Sequence, residues 1–144
     1  MINNAKEVVI VSAIRTPIGT YRGSLKNMRS DQLGSIVIKE VLKKSKFANE
    51  EVDEVIMGQV LTAGAGQNPA RQAAINAGIP ISKPAHIINQ VCGSGLRAVI
   101  SGYQSIKLGE SKNIISGGQE NMSLAPHSIY FRDEKRISED KLLD

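Results

Sequence analysis

The sequence predicts an α/β fold in which a mostly parallel sheet, traced as βαβαβαβ, carries helices on both faces. Three observations support this fold class. Short runs of β-branched and other apolar residues alternate with longer stretches whose apolar residues recur at helical spacing. The apolar runs are continuous, which is typical of strands buried on both faces of a parallel sheet. Glycine, proline and asparagine separate the runs, as expected for turns.

Four apolar runs are the predicted strands. The first occupies residues 8–11, and Pro17 opens a long polar loop soon after it. The other three are predicted at residues 54–61, 86–91 and 112–116, and the last leads into a pair of glycines. Parallel neighbours in such a sheet require crossover connections, and the helical patterns between the runs supply them.

Two of the predicted helices carry clear start and stop signals. The first begins at Ser30 as its N-cap and ends near Lys44, with one apolar and one charged face. The second covers residues 70–77, after the capping residue Asn68 and before Gly78. Both helices are expected to cover the sheet.

The third predicted helix, residues 94–108, has no charged face. One side is apolar, with Leu96, Val99, Ile100, Tyr103 and Ile106. The other side is small, with Ser94, Ala98, Ser101, Gly102 and Ser105. Because small residues allow close helix packing, we expect this helix to be covered on both sides, with its second, small-residue face open to self-association.

Composition excludes several classes of function. The net charge of +4 is spread along the chain and aromatic residues make up 3%, which does not favour nucleic-acid binding. A single cysteine excludes an internal disulfide and a cysteine-rich zinc site, and the acidic residues show no metal-binding spacing. We expect no membrane span and no signal peptide, and therefore a cytoplasmic protein.

Cys92, the one cysteine, lies at a predicted strand-to-helix turn. It could be a small buried hydrophobic residue. It could instead be a nucleophile, because the helix terminus favours a thiolate and the backbone N–H of Cys92 can bind an oxyanion. Thirdly, residues 93–98 match the G-x-G-x-x-A dinucleotide pattern, with Glu120 as the ribose-binding acid.

A cysteine nucleophile needs a base, and neither histidine is an obvious one. His86 lies six residues before Cys92, which is roughly 20 Å along an extended strand. His127 lies in an irregular region, so its position cannot be derived from the pattern. Both are expected to be solvated or structurally hydrogen-bonded.

The segment around Cys92 resembles the nucleophile segment of thiolases, specifically the acetyl-CoA acetyltransferases. It reads Asn89-Gln90-Val91-Cys92-Gly93-Ser94-Gly95-Leu96-Arg97-Ala98-Val99. Four other blocks agree in order and spacing: Arg15-Thr16-Pro17-Ile18-Gly19, Gly58-Gln59-Val60-Leu61, Gly66-Gln67-Asn68-Pro69-Ala70-Arg71-Gln72-Ala73 and Gly117-Gly118-Gln119-Glu120-Asn121-Met122-Ser123. Together the blocks cover nearly the whole chain.

The resemblance implies Claisen chemistry on coenzyme A thioesters, with no tightly bound cofactor. In the family, the cysteine matching Cys92 takes an acetyl group from acetyl-CoA, and its backbone N–H helps bind the thioester oxygen. A second acetyl-CoA is then deprotonated and attacks the acetyl group, giving acetoacetyl-CoA in a reversible reaction. The residues of this chain that bind coenzyme A are not identified by the resemblance.

The resemblance also implies that the chain is the N-terminal half of such an enzyme. Family members consist of two similar halves whose central helices pack together. The activating histidine, the second cysteine and a water-orienting asparagine lie in the C-terminal half. We therefore expect residues 1–123 to form a thiolase N-terminal domain and residues 124–144 to begin a loop domain.

Such a chain is expected to be inactive alone and to need the C-terminal half in cis or in trans, forming a homo-oligomer when complete. The alternatives are a non-catalytic remnant or interaction subunit and, more remotely, a dinucleotide-binding domain.

Overall fold

The computed structural model describes residues 7–128. Its three α-helices are α1 (Ser30–Ser45), α2 (Pro69–Asn76) and α3 (Ser94–Leu108). Its three strands are β1 (Glu54–Gly58), β2 (Ala85–Ile88) and β3 (Ile114–Gly118). Two single-turn 3-10 helices, Asn49–Glu51 and Met122–Leu124, are the remaining helical segments of these residues. An α/β chain with parallel strands and intervening helices confirms the predicted fold class.

The sheet has the order β2-β1-β3, and both pairings are parallel. Val55 of β1 lies beside Ala85 of β2 and Ile115 of β3, which sets the register across all three strands. β1 is therefore central, and the two crossovers run through α2 and α3. The carboxyl ends of all three strands meet at one edge of the sheet, where ligands bind in open parallel sheets.

Alternation along β1 separates two layers of helices. Val55 and Met57 belong to a core shared with α1 and α2, which includes Ile38 and Ala73. The other residues of β1 face α3, since a Cβ on Gly58 would lie 2.4 Å from the backbone carbon of Ser94. The molecule thus has three layers: α1 and α2, the sheet, and α3.

Local signals account for the start of α1 and α2. Asn68 caps α2 by accepting a hydrogen bond from the N–H of Arg71 at 3.1 Å, as its position before Pro69 predicts. Ser30 is already helical in α1, so its predicted role as N-cap is wrong by one residue. The neighbouring Asp31 is buried and forms a 2.7 Å ion pair with Arg29.

The predicted first strand, residues 8–11, does not belong to the sheet. Val9, Ile10 and Val11 are 64%, 77% and 60% exposed, and the prediction of four strands is therefore wrong for residues 7–128, which contain three. The composition of a strand does not by itself supply a partner, and neither outer edge of the sheet, on β2 or on β3, takes up residues 8–11. Residues 8–11 therefore have the composition of a strand but pair with no strand among residues 7–128.

The predicted packing of α3 is reversed by the structure. Its small residues Ser94, Ala98 and Gly102 are buried against the sheet, where a Cβ on Gly102 would lie 2.5 Å from Ser116 Oγ. Its large apolar residues form the open side instead. The small side chains let α3 lie close to the sheet, whereas the sequence predicted that they would pack against a second helix.

The described residues include no helix long and apolar enough to cross a membrane. The predicted domain boundary after residue 123 falls within the described part. Most of the predicted loop-domain segment, residues 129–144, lies outside it.

Candidate active site

Cys92 is exposed on the connection between β2 and α3, past the carboxyl end of β2. Its exposure makes the hypothesis of a small buried hydrophobic cysteine wrong. The connection is short, since β2 ends at Ile88 and α3 begins at Ser94. The thiol is therefore placed by the sheet on one side and by the first turn of α3 on the other.

Val91, directly before Cys92, has a left-handed backbone with φ of +49°. A β-branched residue rarely adopts this conformation, which costs roughly 1–2 kcal/mol for an L-residue. β2 ends earlier than predicted, at Ile88, three residues before this left-handed position. The sharp turn projects Cys92 away from the sheet.

Two side chains hold the backbone on either side of Val91. Ser94 Oγ accepts a hydrogen bond from the N–H of Gln90 at 2.9 Å and donates one to the carbonyl of Val91 at 2.6 Å. Asn89 Oδ1 accepts from the N–H of Val91 at 3.0 Å. The sequence reasoning did not assign a role to Asn89 or Ser94, although an Asn two residues before a turn position is a recognisable Asx-turn signal.

The backbone N–H of Cys92 makes no hydrogen bond to any residue between 7 and 128. Its neighbours are satisfied, because Gly93 N–H donates to the carbonyl of Gln90 at 3.0 Å and Ser94 N–H to that of Val91 at 3.1 Å. An exposed thiol beside a free N–H is the arrangement that nucleophilic acyl chemistry requires.

Glu120, the predicted ribose-binding acid of the dinucleotide hypothesis, is engaged elsewhere. Its Oε2 accepts hydrogen bonds from the N–H groups of Val60 and Leu61 at 2.8 and 3.2 Å. Its Oε1 is buried and has no partner among the described residues. Glu120 thus joins the segments after β1 and β3, and the dinucleotide hypothesis is not favoured.

A buried polar pair lies beside Glu120. Gln119 Nε2 donates to Gln59 Oε1 at 2.9 Å, and Gln59 Nε2 donates to the carbonyl of Leu61 at 2.8 Å. Both glutamines are less than a tenth exposed. Their hydrogen bonds fix the backbone just past the carboxyl ends of β1 and β3, at the same edge of the sheet as Cys92.

His86 lies away from the Cys92 turn. His86 is the second residue of β2, and its Nδ1 lies 3.0 Å from Glu54 Oε1 at the amino end of β1. His127 is exposed after the second 3-10 helix. Among residues 7–128, no group of three or more His, Cys, Asp or Glu side chains could hold a metal ion.

At the opposite edge of the sheet, the carboxylate of Asp53 is hydrogen-bonded to backbone N–H groups. The N–H groups of Lys112 and Asn113 donate to Asp53 Oδ2 at 2.8 and 3.1 Å. These hydrogen bonds, with a smaller contribution from Lys83, lower the pKa of Asp53. Asp53 and Glu120 therefore tie β1 to β3 at the two ends of the sheet.

Comparison with known proteins matches these features to one family. Residues 8–144 match the family model for the thiolase N-terminal domain. The chain is 53% identical to an acetyl-CoA acetyltransferase of Cupriavidus necator over 96% of its length, which is 35% of the relative. It is 53% identical to the cytosolic acetyl-CoA acetyltransferase of Mus musculus over 95% of its length, which is 34% of that protein.

A probable acetyl-CoA acetyltransferase of Escherichia coli is 57% identical over 86% of the chain, which is 32% of that protein. The chain thus spans about a third of the length of the relatives it matches. It carries their N-terminal region, including the Cys92 turn, and it belongs to the thiolase family.

Proposed function

We propose that the chain is the N-terminal part of an acetyl-CoA C-acetyltransferase, which converts two acetyl-CoA to acetoacetyl-CoA and free coenzyme A in a reversible reaction. Cys92 is the proposed acyl-carrying nucleophile. The observation that carries the proposal is the exposed Cys92 thiol next to its own unpaired backbone N–H. The names of the similar proteins support the substrate class.

The proposed first step is acyl transfer to Cys92. The Cys92 thiolate attacks the carbonyl carbon of acetyl-CoA, and the carbonyl oxygen becomes an oxyanion that the Cys92 N–H binds. The C–S bond to coenzyme A then breaks, and coenzyme A leaves as a thiolate that takes up a proton. The acetyl group remains on Cys92 as a thioester.

Activation of the Cys92 thiol and the second, carbon–carbon bond-forming step both need proton-transfer groups. Deprotonation of the second acetyl-CoA requires a base, and His86 is bound to Glu54 at the other end of the sheet. We propose that the C-terminal half, in cis or in trans, supplies the activating histidine and the proton-transferring cysteine. The expected protein is a cytoplasmic homo-oligomer when complete.

The open face of α3 is the proposed contact for that half. Leu96, Ile100 and Tyr103 are 68%, 39% and 49% exposed on this face. Exposed apolar side chains at helical spacing are typical of a helix that another layer covers. The exposed apolar segment at residues 8–11 also needs another layer to cover it.

Two measurements test the proposed function. A thiolysis assay with acetoacetyl-CoA and coenzyme A should give no measurable turnover with the isolated chain, because loss of general acid–base catalysis typically costs ~10² to 10⁴ in rate. In an enzyme completed with the C-terminal half, Cys92→Ser should abolish the acetyl-cysteine intermediate while circular dichroism stays unchanged. Turnover by the isolated chain, or a persistent acetyl-cysteine in the variant, would contradict the proposal.

A further inference from the structure

We propose that Asn89 and Ser94 are positioning residues that hold Val91 in its left-handed conformation and thereby keep the Cys92 N–H unpaired and available to an acyl oxygen. This inference rests on the proposed acyl-carrying role of Cys92. Neither residue touches the reacting atoms in this arrangement. Both act through the backbone of Gln90 and Val91.

The Val91 conformation needs support from its surroundings. With φ of +49°, the branched Val91 side chain lies near its own backbone carbonyl, so an unsupported chain would return to the extended region. An extended Val91 would rotate the peptide that joins it to Cys92. The direction of the Cys92 N–H is therefore coupled to the conformation of Val91.

Ser94 supplies a rigid anchor for that conformation. Its hydroxyl bridges the N–H of Gln90 and the carbonyl of Val91, and the residue is only 4% exposed. Gly58 fixes the position of Ser94, because the backbone of Ser94 lies closer to β1 than any side chain at position 58 would allow. The clamp is thus built on the contact between α3 and the sheet.

Asn89 supplies a second anchor from the other side of the turn. Its Oδ1 accepts the N–H of Val91 at 3.0 Å, and its Nδ2 lies 3.4 Å from the carbonyl of Val60. The N–H of Val60 is itself held by Glu120. This chain of contacts ties the turn to the carboxyl end of β1.

With both anchors in place, the backbone N–H groups on either side of Cys92 are hydrogen-bonded, and within residues 7–128 that of Cys92 is not. The N–H groups of residues 90, 91, 93 and 94 all have acceptors, whereas that of Cys92 has none within residues 7–128. An unpaired N–H beside an exposed thiol is a donor held ready for the oxygen of an acyl group.

The test compares two reactions of Cys92 in the intact protein as its gene encodes it, with modification read on the Cys92 peptide by mass spectrometry. Acylation by p-nitrophenyl acetate develops an oxyanion, and iodoacetamide alkylation does not. Ser94→Ala should slow acylation by about 10- to 100-fold, which is less than or equal to the roughly 100-fold minimum for complete loss of an oxyanion donor. Alkylation, which depends on the thiolate and its access, should change by less than about 3-fold.

Two further variants separate positioning from general structural damage. Asn89→Asp keeps an acceptor for the Val91 N–H but loses the donor to Val60, so it should retain more acylation than Asn89→Ala, which should lose about 10-fold. Adding Val91→Gly to Ser94→Ala should restore at least half of the lost acylation on a logarithmic scale, because glycine adopts a positive φ without strain.

Acylation that is unchanged in Ser94→Ala, acylation and alkylation that fall in parallel, or failure of Val91→Gly to rescue would each overturn the inference. Failure of the proposed function has a different signature. It would appear as absence of acetyl transfer from acetyl-CoA to Cys92 in the unsubstituted complete enzyme. The ratio of the two probe reactions uses no coenzyme A and is measured independently of that result.

Discussion

The two layers of helices on the sheet are built in opposite ways. Under α1 and α2, large side chains are sealed, and Ile38, Val55 and Met57 are at most 1% exposed. On the α3 side, small residues make the contact with the sheet, and large ones such as Leu96 and Leu108 point outwards. Within residues 7–128, the layer of α1 and α2 has its large apolar side chains buried. The α3 layer is packed on the sheet on its inner side, and its outer face is exposed.

This difference shows that hydrophobicity alone does not decide which residues of this chain are buried. Leu96 and Ile38 are equally apolar, but only Ile38 has a layer of side chains to pack against. Cys92 lies at the start of the helix with the open face. The proposed nucleophile is therefore placed where this domain meets its expected partner.

Replacing one large residue by alanine in each layer should give the largest difference in the free energy of unfolding. Ile38→Ala removes packing from the sealed core and should lower the free energy of unfolding by about 4 kcal/mol. Leu96→Ala should change it by less than about 0.5 kcal/mol, because Leu96 is 68% exposed. Urea unfolding followed by circular dichroism measures both. Equal losses would mean that α3 is covered on its outer face and that the contrast between the layers is wrong.

The close contact between α3 and the sheet should be nearly as sensitive to an added methyl group. A Cβ at position 58 would lie 2.4–2.6 Å from backbone atoms of Ser94 and Gly95. Gly58→Ala should therefore cost about 3 kcal/mol and should also disturb Cys92 alkylation.

Gly117→Ala is the matched control on the opposite face of the sheet. Its Cβ would meet the flexible Met57 side chain at an ordinary 3.8 Å, so the expected cost is below about 1 kcal/mol. A Gly58→Ala protein as stable as Gly117→Ala would show that the α3 contact is not tight.

Glu120 should make a smaller contribution to the free energy of unfolding, through contacts that belong to neither helical layer. Glu120→Gln weakens two charge-assisted hydrogen bonds to the backbone after β1, and we expect a loss of about 1.5 kcal/mol. Glu110→Gln, at an exposed position after α3, is the control and should be neutral. Thermal unfolding of the two variants checks this order.

Asp53 should give the smallest effect, visible as a pH dependence. Its folded-state pKa is lowered, chiefly by the N–H groups of Lys112 and Asn113, so its contribution is complete above the unfolded pKa near ~4 and is lost as the pH falls through the lower folded value. Because Asp53 is about one-third exposed, we expect only about 1 kcal/mol. Unfolding between about pH 6 and pH 2 should show Asp53→Asn converging with the unsubstituted protein at acid pH. A constant difference would contradict the assignment.

Much of the local structure could be predicted from the sequence. Residues 94–108 are the third helix as predicted, and Gly109 ends it with φ of +81°. The capping role of Asn68 and the position of Cys92 before a helix also follow from neighbouring residues. These features depend on interactions within a few positions of the chain, which periodicity and capping residues report directly.

The parts that could not be predicted depend on distant residues. The left-handed Val91 is held by side chains that the motif contains, but its conformation depends on Ser94 being fixed against β1. Whether residues 8–11 join the sheet depends on which segments of the chain come together in the tertiary structure. Neither relation leaves a periodic signal.

The sequence by itself therefore determined the helices, three of the strands, the family and the position of Cys92 before a helix, because local backbone preferences and motif spacing encode them. Only the tertiary structure decided which face of α3 lies on the sheet, which apolar residues remain open, and which N–H in the Cys92 turn is unpaired. Those properties arise from close approach between elements far apart in the chain, where the fit of one glycine or serine outweighs hydrophobicity.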